Sequence, residues 1–146
     1  MTLPRTPSFR LDGRRALVAG ASSGIGAACA VALGEAGAEV TLLARNAAKL
    51  DALAAEMTEA GMTVQTLAID VSDIGATEAA ISENGPFDVL VNSAGTARHS
   101  AATETTADDF DAVCGMIASK GLNCGPKTFV VVVMGHPYGE FDVVRV

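Results

Sequence analysis

The sequence predicts an α/β fold: a doubly wound parallel sheet with helices on both faces, incomplete at its C-terminal side. Three observations lead there. Short β-prone apolar runs alternate with helix-length stripes from the start of the chain. A glycine-rich turn joins the first run to the first stripe. Apolar residues make up 49% of the chain and charged residues only 18%, which suits a sheet buried on both faces.

The elements follow in order. Residues 15–20 (RALVAG) form a first strand, ended by a glycine. Residues 24–37 carry apolar positions at Ile25, Cys29, Ala32, Leu33 and Ala36, a helical stripe closed by Gly37. Residues 39–44 (EVTLLA) read as a second strand. Asn46 is a credible N-cap for a helix whose inner face is Leu50, Leu53, Met57 and Ala60, with Gly61 behind it. Residues 63–70 (TVQTLAID) are a third strand, residues 73–83 a weaker helix, and Gly85-Pro86 its stop. Residues 87–91 (FDVLV) are a fourth strand. Residues 106–109 (TADD) then resemble a capping box, before a helix with Phe110, Val113 and Ile117 on one side.

Strands separated by helices of this length require right-handed crossovers and parallel pairing, here in the spatial order 3-2-1-4. After Cys114 the texture changes. Gly115, Gly121, Gly125 and Pro126 break the pattern, and residues 128–134 (TFVVVVM) give one strongly β-prone run, expected as the fifth strand beside the fourth. Residues 135–139 (GHPYG) read as a turn and residues 141–146 (FDVVRV) as a last short strand. The expectation is one domain over residues 1–146, with 115–146 as a divergent tail.

Composition narrows the partners. A net charge of −7 argues against nucleic acid or an anionic membrane, either of which needs clustered Lys and Arg. No apolar run reaches the roughly eighteen residues of a membrane span, and residues 1–7 (MTLPRTP) lack the hydrophobic stretch of a signal peptide. Cys29, Cys114 and Cys124 have no metal-ligand spacing and read as small core residues. A cytoplasmic location is expected.

The turn at residues 20–26 (GASSGIG) carries the chemistry. Gly20, Gly24 and Gly26 let the backbone turn tightly and approach a phosphate without a Cβ in the way. Ser22, Ser23 and Ile25 lie between them, and the N–H groups at the start of the helix attract an anion. The spacing is G-x-x-x-G-x-G, not G-x-G-x-x-G. Residues 20–24 also satisfy G-x-S-x-G, the nucleophile elbow of hydrolases, which would make Ser22 a nucleophile followed by Asp111 and His136. A tight turn that binds nothing is a third reading. Arg45 stands nineteen residues past Gly26, where an NAD site places an acid for the ribose 2′-hydroxyl. An arginine there instead pairs with a 2′-phosphate, with Asn46, Ser22 and Ser23 as neutral donors. NADP(H) is therefore favoured over NAD(H).

Four features in order resemble the short-chain dehydrogenase/reductase family. Residues 9–26 (FRLDGRRALVAGASSGIG) are similar to its N-terminus, with Ala19 where the family usually has Thr. Asp70 and Val71 resemble its adenine-binding pair. Residues 92–95 (NSAG) resemble its N-N-A-G motif with Ser93 for one Asn, and residues 107–113 (ADDFDAV) the start of the next helix. The resemblance covers residues 9 to about 114. It implies a Rossmann-type sheet and an NAD(P)-dependent oxidoreductase acting on alcohol and carbonyl groups. The cofactor-binding residues it implies add Asp70, Val71, Asn92, Ala94 and Gly95 to those of the turn and to Arg45 and Asn46.

The family's proton relay has no counterpart in these residues. It uses a Tyr and a Lys four positions later, on one helical face. Here the single tyrosine, Tyr138, is followed at that spacing by Asp142, and Lys120 and Lys127 precede it. Gly135-His136 stands where the family's Ser belongs, and Ile117 where its Asn belongs. No catalytic residue is assigned. The tail reads as a truncated or frame-disrupted product or as a remodelled domain, and a homo-oligomer would be weakened without the family's C-terminal part. Two functions remain open: an oxidoreductase given its acid by an unexpected group or another subunit, and an inactive dinucleotide-binding module.

Overall fold

The structure is a computed structural model that describes residues 9–95 and 129–132. Its elements are β1 (Arg15–Ala19), α1 (Gly24–Glu35), β2 (Glu39–Ala44), α2 (Ala47–Glu59), β3 (Val64–Ala68), α3 (Ile74–Asn84), β4 (Val89–Asn92) and β5 (Phe129–Val132). The strands form one sheet in the order β3-β2-β1-β4-β5, and every pair is parallel. This is the expected doubly wound α/β order, with the 128–134 run supplying a strand beside β4. The expected helix after residue 106, the remainder of the tail, and Cys114 and Cys124 lie outside the described residues.

Alternation along the central strands divides the core into two layers. Ala16, Val18, Val40, Leu42 and Val91 pack on one face with Ala30 of α1 and with Leu50 and Met57 of α2. Leu17, Ala19, Leu43, Phe87 and Leu90 pack on the other, with Ile81 of α3 against them. β1 is buried on both faces, as a strand in the middle of a parallel sheet must be. β3 is half-covered, and its polar Gln65 and Thr66 suit the edge.

The sheet-facing side of α1 differs from the stripe read from the sequence. Ile25 and Ala32 are exposed, and Cys29 and Leu33 are half-buried at the margin of the core. The buried residues are Gly26, Ala30 and Gly34. The reason is proximity. Gly26 lies against the backbone of Gly20, where a Cβ would overlap the carbonyl, and Gly34 lies against Met57 of α2 and Met62, with a Cβ 2.6 Å from the Met62 sulfur. Larger apolar side chains are displaced to the flanks. In α2, Leu50 and Met57 are buried as expected, but Ala60 is exposed because it is the C-cap, already past the last helical turn.

The fourth strand also starts later than the apolar run implies, at Val89. Phe87 is spent on the core, and Asp88 closes the start of β1. Its carboxylate accepts from the Arg15 amide at 3.0 Å and from Nη1 of Arg14 at 2.8 Å, while its own amide donates to the Arg15 carbonyl at 2.8 Å. The Arg15 guanidinium caps the end of α3 through the Asn84 carbonyl at 2.5 Å and lies over the Phe87 ring.

The Arg15 amide first, and then Arg14, hold the Asp88 carboxyl below the usual carboxylate range. A lowered pKa in the folded state means stability that is present above the unfolded value and lost as pH falls through the folded one. Asp88→Asn should therefore be less stable than the parent at pH 7, with the gap closing below about pH 4. Urea midpoints measured across pH 7 to 2.5 check this; a gap that stays constant would remove Asp88 as an acid-sensitive tie.

Candidate functional site

The chain runs outward from β1 through β2 to β3, then returns to place β4 on the other side of β1. The order of the sheet thus reverses between β1 and β4, and open parallel sheets bind ligands outside the carboxyl ends of the strands at such a switch point. Residues that follow β1, β2, β3 and β4 lie at this end of the sheet.

The floor is made of backbone. The Gly20 amide donates to the Leu43 carbonyl at 2.8 Å, and the Ser93 amide to the Ala19 carbonyl at 2.9 Å, so the turns after β1 and β4 are tied to neighbouring strands. Gly20 has φ +79°, and a Cβ on it would fall 2.5–2.6 Å from backbone atoms of Ser93 and Ala94. Two independent reasons thus require glycine there. Gly26, one turn into α1, faces the Gly20 carbonyl so closely that a Cβ would overlap it. Gly24 has φ +58° with nothing nearby.

Above this floor sits the start of α1. Ser23 is its N-cap residue in extended conformation, but its side chain makes no capping bond, and the first turn holds no acidic residue. In contrast, Asn46 caps α2 by accepting from the Lys49 amide at 3.1 Å, and Asp73 caps α3 by accepting from the Ala76 amide at 3.0 Å. The first amides of α1 are left for another acceptor, with the positive end of the helix dipole behind them. Ser22 is half-buried, and Ser23, Gly24 and Ile25 are exposed. Asn46, expected as a neutral donor, has its carbonyl oxygen committed to the α2 cap; only its NH2 remains to donate.

At the ends of β2 and β3, Arg45 and Asp70 come together. Nη1 of Arg45 lies 3.9 Å from Oδ2 of Asp70, with side chains 75% and 44% exposed. The other oxygen, Oδ1, accepts from the Ser72 hydroxyl at 2.7 Å and from the Ser72 amide at 2.9 Å. The hydroxyl, then the amide, hold the Asp70 carboxyl below its ordinary range, and Arg45 adds to the pull. Sequence reasoning named Arg45 and Asp70 separately and missed Ser72. The signal was there, since Asp-x-Ser is a pattern that folds into an Asx turn. Val71 and Ala94 pack against the second core layer, so their side chains anchor the loops. Asn92 is buried, and its Oδ1 accepts from the Ala94 amide at 3.2 Å, which shapes the turn leading to exposed Gly95.

The hydrolase reading fails on geometry. A nucleophile elbow holds its serine in strained backbone, yet among the described residues only glycines have positive φ, and Ser22 is unstrained. Asp111, His136 and the positions tied to the proton relay, Ile117, Lys120, Lys127, Tyr138 and Asp142, lie outside the described residues.

Comparison with known proteins decides the family. The model for short chain dehydrogenase matches residues 14–121, most of the chain and past the point near Cys114 where the motifs fade. The chain belongs to the short-chain dehydrogenase family. Among curated members, D-erythrulose reductase of Gallus gallus is 50% identical over 91 residues, 62% of this chain and 35% of that protein. L-xylulose reductase of Mesocricetus auratus is 45% identical over 101 residues, 69% of this chain and 40% of that one. This chain thus spans well under half the length of those two family members. Among solved members, a 3-oxoacyl (acyl-carrier-protein) reductase from Agrobacterium tumefaciens C58 with NADP bound superposes with TM-score 0.74 at 33% identity, covering 86% of this chain and 54% of that one. A gluconate 5-dehydrogenase from Burkholderia cenocepacia J2315, in complex with NADP and tartrate, gives 0.69 at 36% identity, over 77% and 46%.

The two turn glycines should differ in their tolerance to a methyl group. Gly24→Ala meets only the left-handed backbone penalty, about 1–2 kcal/mol. Gly20→Ala adds overlap with the backbone of Ser93 and Ala94 and should cost about 3 kcal/mol or more. Urea unfolding of both variants measures the difference; equal losses would mean that the two turns do not touch.

Proposed function

We propose that this chain binds a dinucleotide at the carboxyl ends of β1 and β4, with NADP(H) preferred over NAD(H). The observation that carries the reading is the uncapped start of α1, seated on a glycine floor at the switch point of the sheet. The amides of Gly24, Ile25 and Gly26, with the hydroxyls of Ser22 and Ser23, would hold the pyrophosphate. Arg45, helped by the NH2 of Asn46, would take the 2′-phosphate through charged donors. Asp70 and Val71 would bound the adenine, and Asn92, Ala94 and Gly95 the ribose beyond the pyrophosphate. The A. tumefaciens and B. cenocepacia relatives, crystallised with NADP, support this assignment.

NADP(H), when bound, supplies or accepts a hydride. What these 146 residues add is binding and orientation; a proton donor for the carbonyl oxygen is not among the groups their sequence places by motif, since Tyr138 lacks its Lys. The reading is therefore a family member that binds its cofactor and, by these residues alone, does not turn over carbonyl compounds. Losing general acid catalysis by itself costs roughly 10²–10⁴-fold in rate.

Calorimetric titration should give tighter binding of NADP⁺ than of NAD⁺, and Arg45→Asp should reverse the order, a swing on the order of 1–3 kcal/mol. An unchanged preference would take Arg45 out of the site. NADPH fluorescence should report binding while ketones and aldehydes leave NADPH unconsumed. Turnover abolished by Tyr138→Phe or His136→Ala would instead establish an active enzyme and name its acid.

A further inference from the structure

We propose that Asp70, fixed by Ser72, competes with the ligand's 2′-phosphate for Arg45 and so limits how strongly the site prefers NADP(H) over NAD(H). This rests on the assignment of Arg45 to the 2′-phosphate. The geometry assigns the two carboxylate oxygens different partners. Oδ1 is held by two Ser72 donors, at 2.7 and 2.9 Å, which leaves Oδ2 turned to Nη1 of Arg45 at 3.9 Å. The carboxylate is thus a fixed charge, and the long, largely exposed arginine is the member that moves.

Charge counting gives the direction. Arg45 and Asp70 are together neutral. A ligand without the 2′-phosphate leaves that pair intact, so NAD(H) meets no unpaired cation. A ligand with the phosphate brings up to two further negative charges to a pair that has no net positive charge to offer. It must share the guanidinium with a carboxylate that repels it. Tethering Arg45 also lowers the entropy lost on binding, but an exposed pair at this separation holds the side chain only weakly. Repulsion therefore outweighs preorganisation, and the carboxylate acts against the phosphate.

The variant Asp70→Asn separates these effects. The amide keeps an oxygen for both Ser72 donors, so the turn is preserved, while the charge facing Arg45 is removed. Any lost contact to the adenine is common to both dinucleotides and cancels in their ratio. The ratio of the NAD⁺ to the NADP⁺ dissociation constant, measured by calorimetry on the full chain, should rise about two- to fivefold in Asp70→Asn. Added to Arg45→Gln, Asp70→Asn should raise the ratio by less, because only its direct repulsion of the phosphate is left to remove; an equal rise in both backgrounds would overturn the competition for Arg45. Ser72→Ala, which keeps the charge but frees the carboxylate, should raise the ratio by less. A ratio that is unchanged or lower in Asp70→Asn, while Arg45→Gln still erodes the preference, overturns the competition and leaves the role of Arg45 standing. A ratio indifferent to Arg45→Gln overturns both.

Discussion

The contact on which the rest of the structure depends is the one between two stretches of backbone: Gly20, at the end of β1, lies against Ser93 and Ala94, at the end of β4. It joins the two strands between which the order of the sheet reverses, and so sets how closely the turns after β1 and β4 approach. Gly26 then rests on the Gly20 carbonyl, which brings the first turn of α1 directly over the strand ends. The buried side of α1 is made of small residues, Gly26, Ala30 and Gly34, with Gly26 against the turn after β1 and Gly34 against Met57 of α2 and Met62.

The site has two parts built from different materials. The cradle is backbone, held by buried strand-to-turn hydrogen bonds such as Gly20 to Leu43 and Ser93 to Ala19. Its geometry cannot change without disturbing the sheet, and it suits any pyrophosphate. The second part, at the ends of β2 and β3, proposed here as the selector, is made of exposed side chains, Arg45, Asp70 and Ser72. In high dielectric each charge there contributes modestly. Such a selector is adjustable by single substitutions that leave the fold alone. The proposed function therefore makes affinity for the common part of a dinucleotide and choice between its two forms separable.

The sequence carried the sheet because its signal is redundant: each strand is an apolar run bounded by turn residues, and the glycine turn after the first strand points to the doubly wound order. The same periodicity misplaced the inner face of α1, because glycine and alanine score as unremarkable in a hydrophobic pattern while close packing selects them. Ala60 and Phe87 show the related error at element ends, where an apolar residue serves a cap or the core without belonging to the element's regular face. In the site, glycines and Asn92 were legible as motif residues. The pairing of Arg45 with Asp70 was not, since twenty-five positions separate them and only the β2–β3 register brings them together. Ser72 was overlooked because its function is to hold another side chain.

The most direct test of this account is a map of backbone amide shifts as NADP⁺ is titrated into isotopically labelled protein. The account predicts that the amides of residues 22–26, those at the start of α1, move most, with a second group at Arg45 and its neighbours, and that NAD⁺ moves the first group but much less of the second. Shifts centred elsewhere on the sheet, or an α1 start indifferent to either dinucleotide, would contradict it.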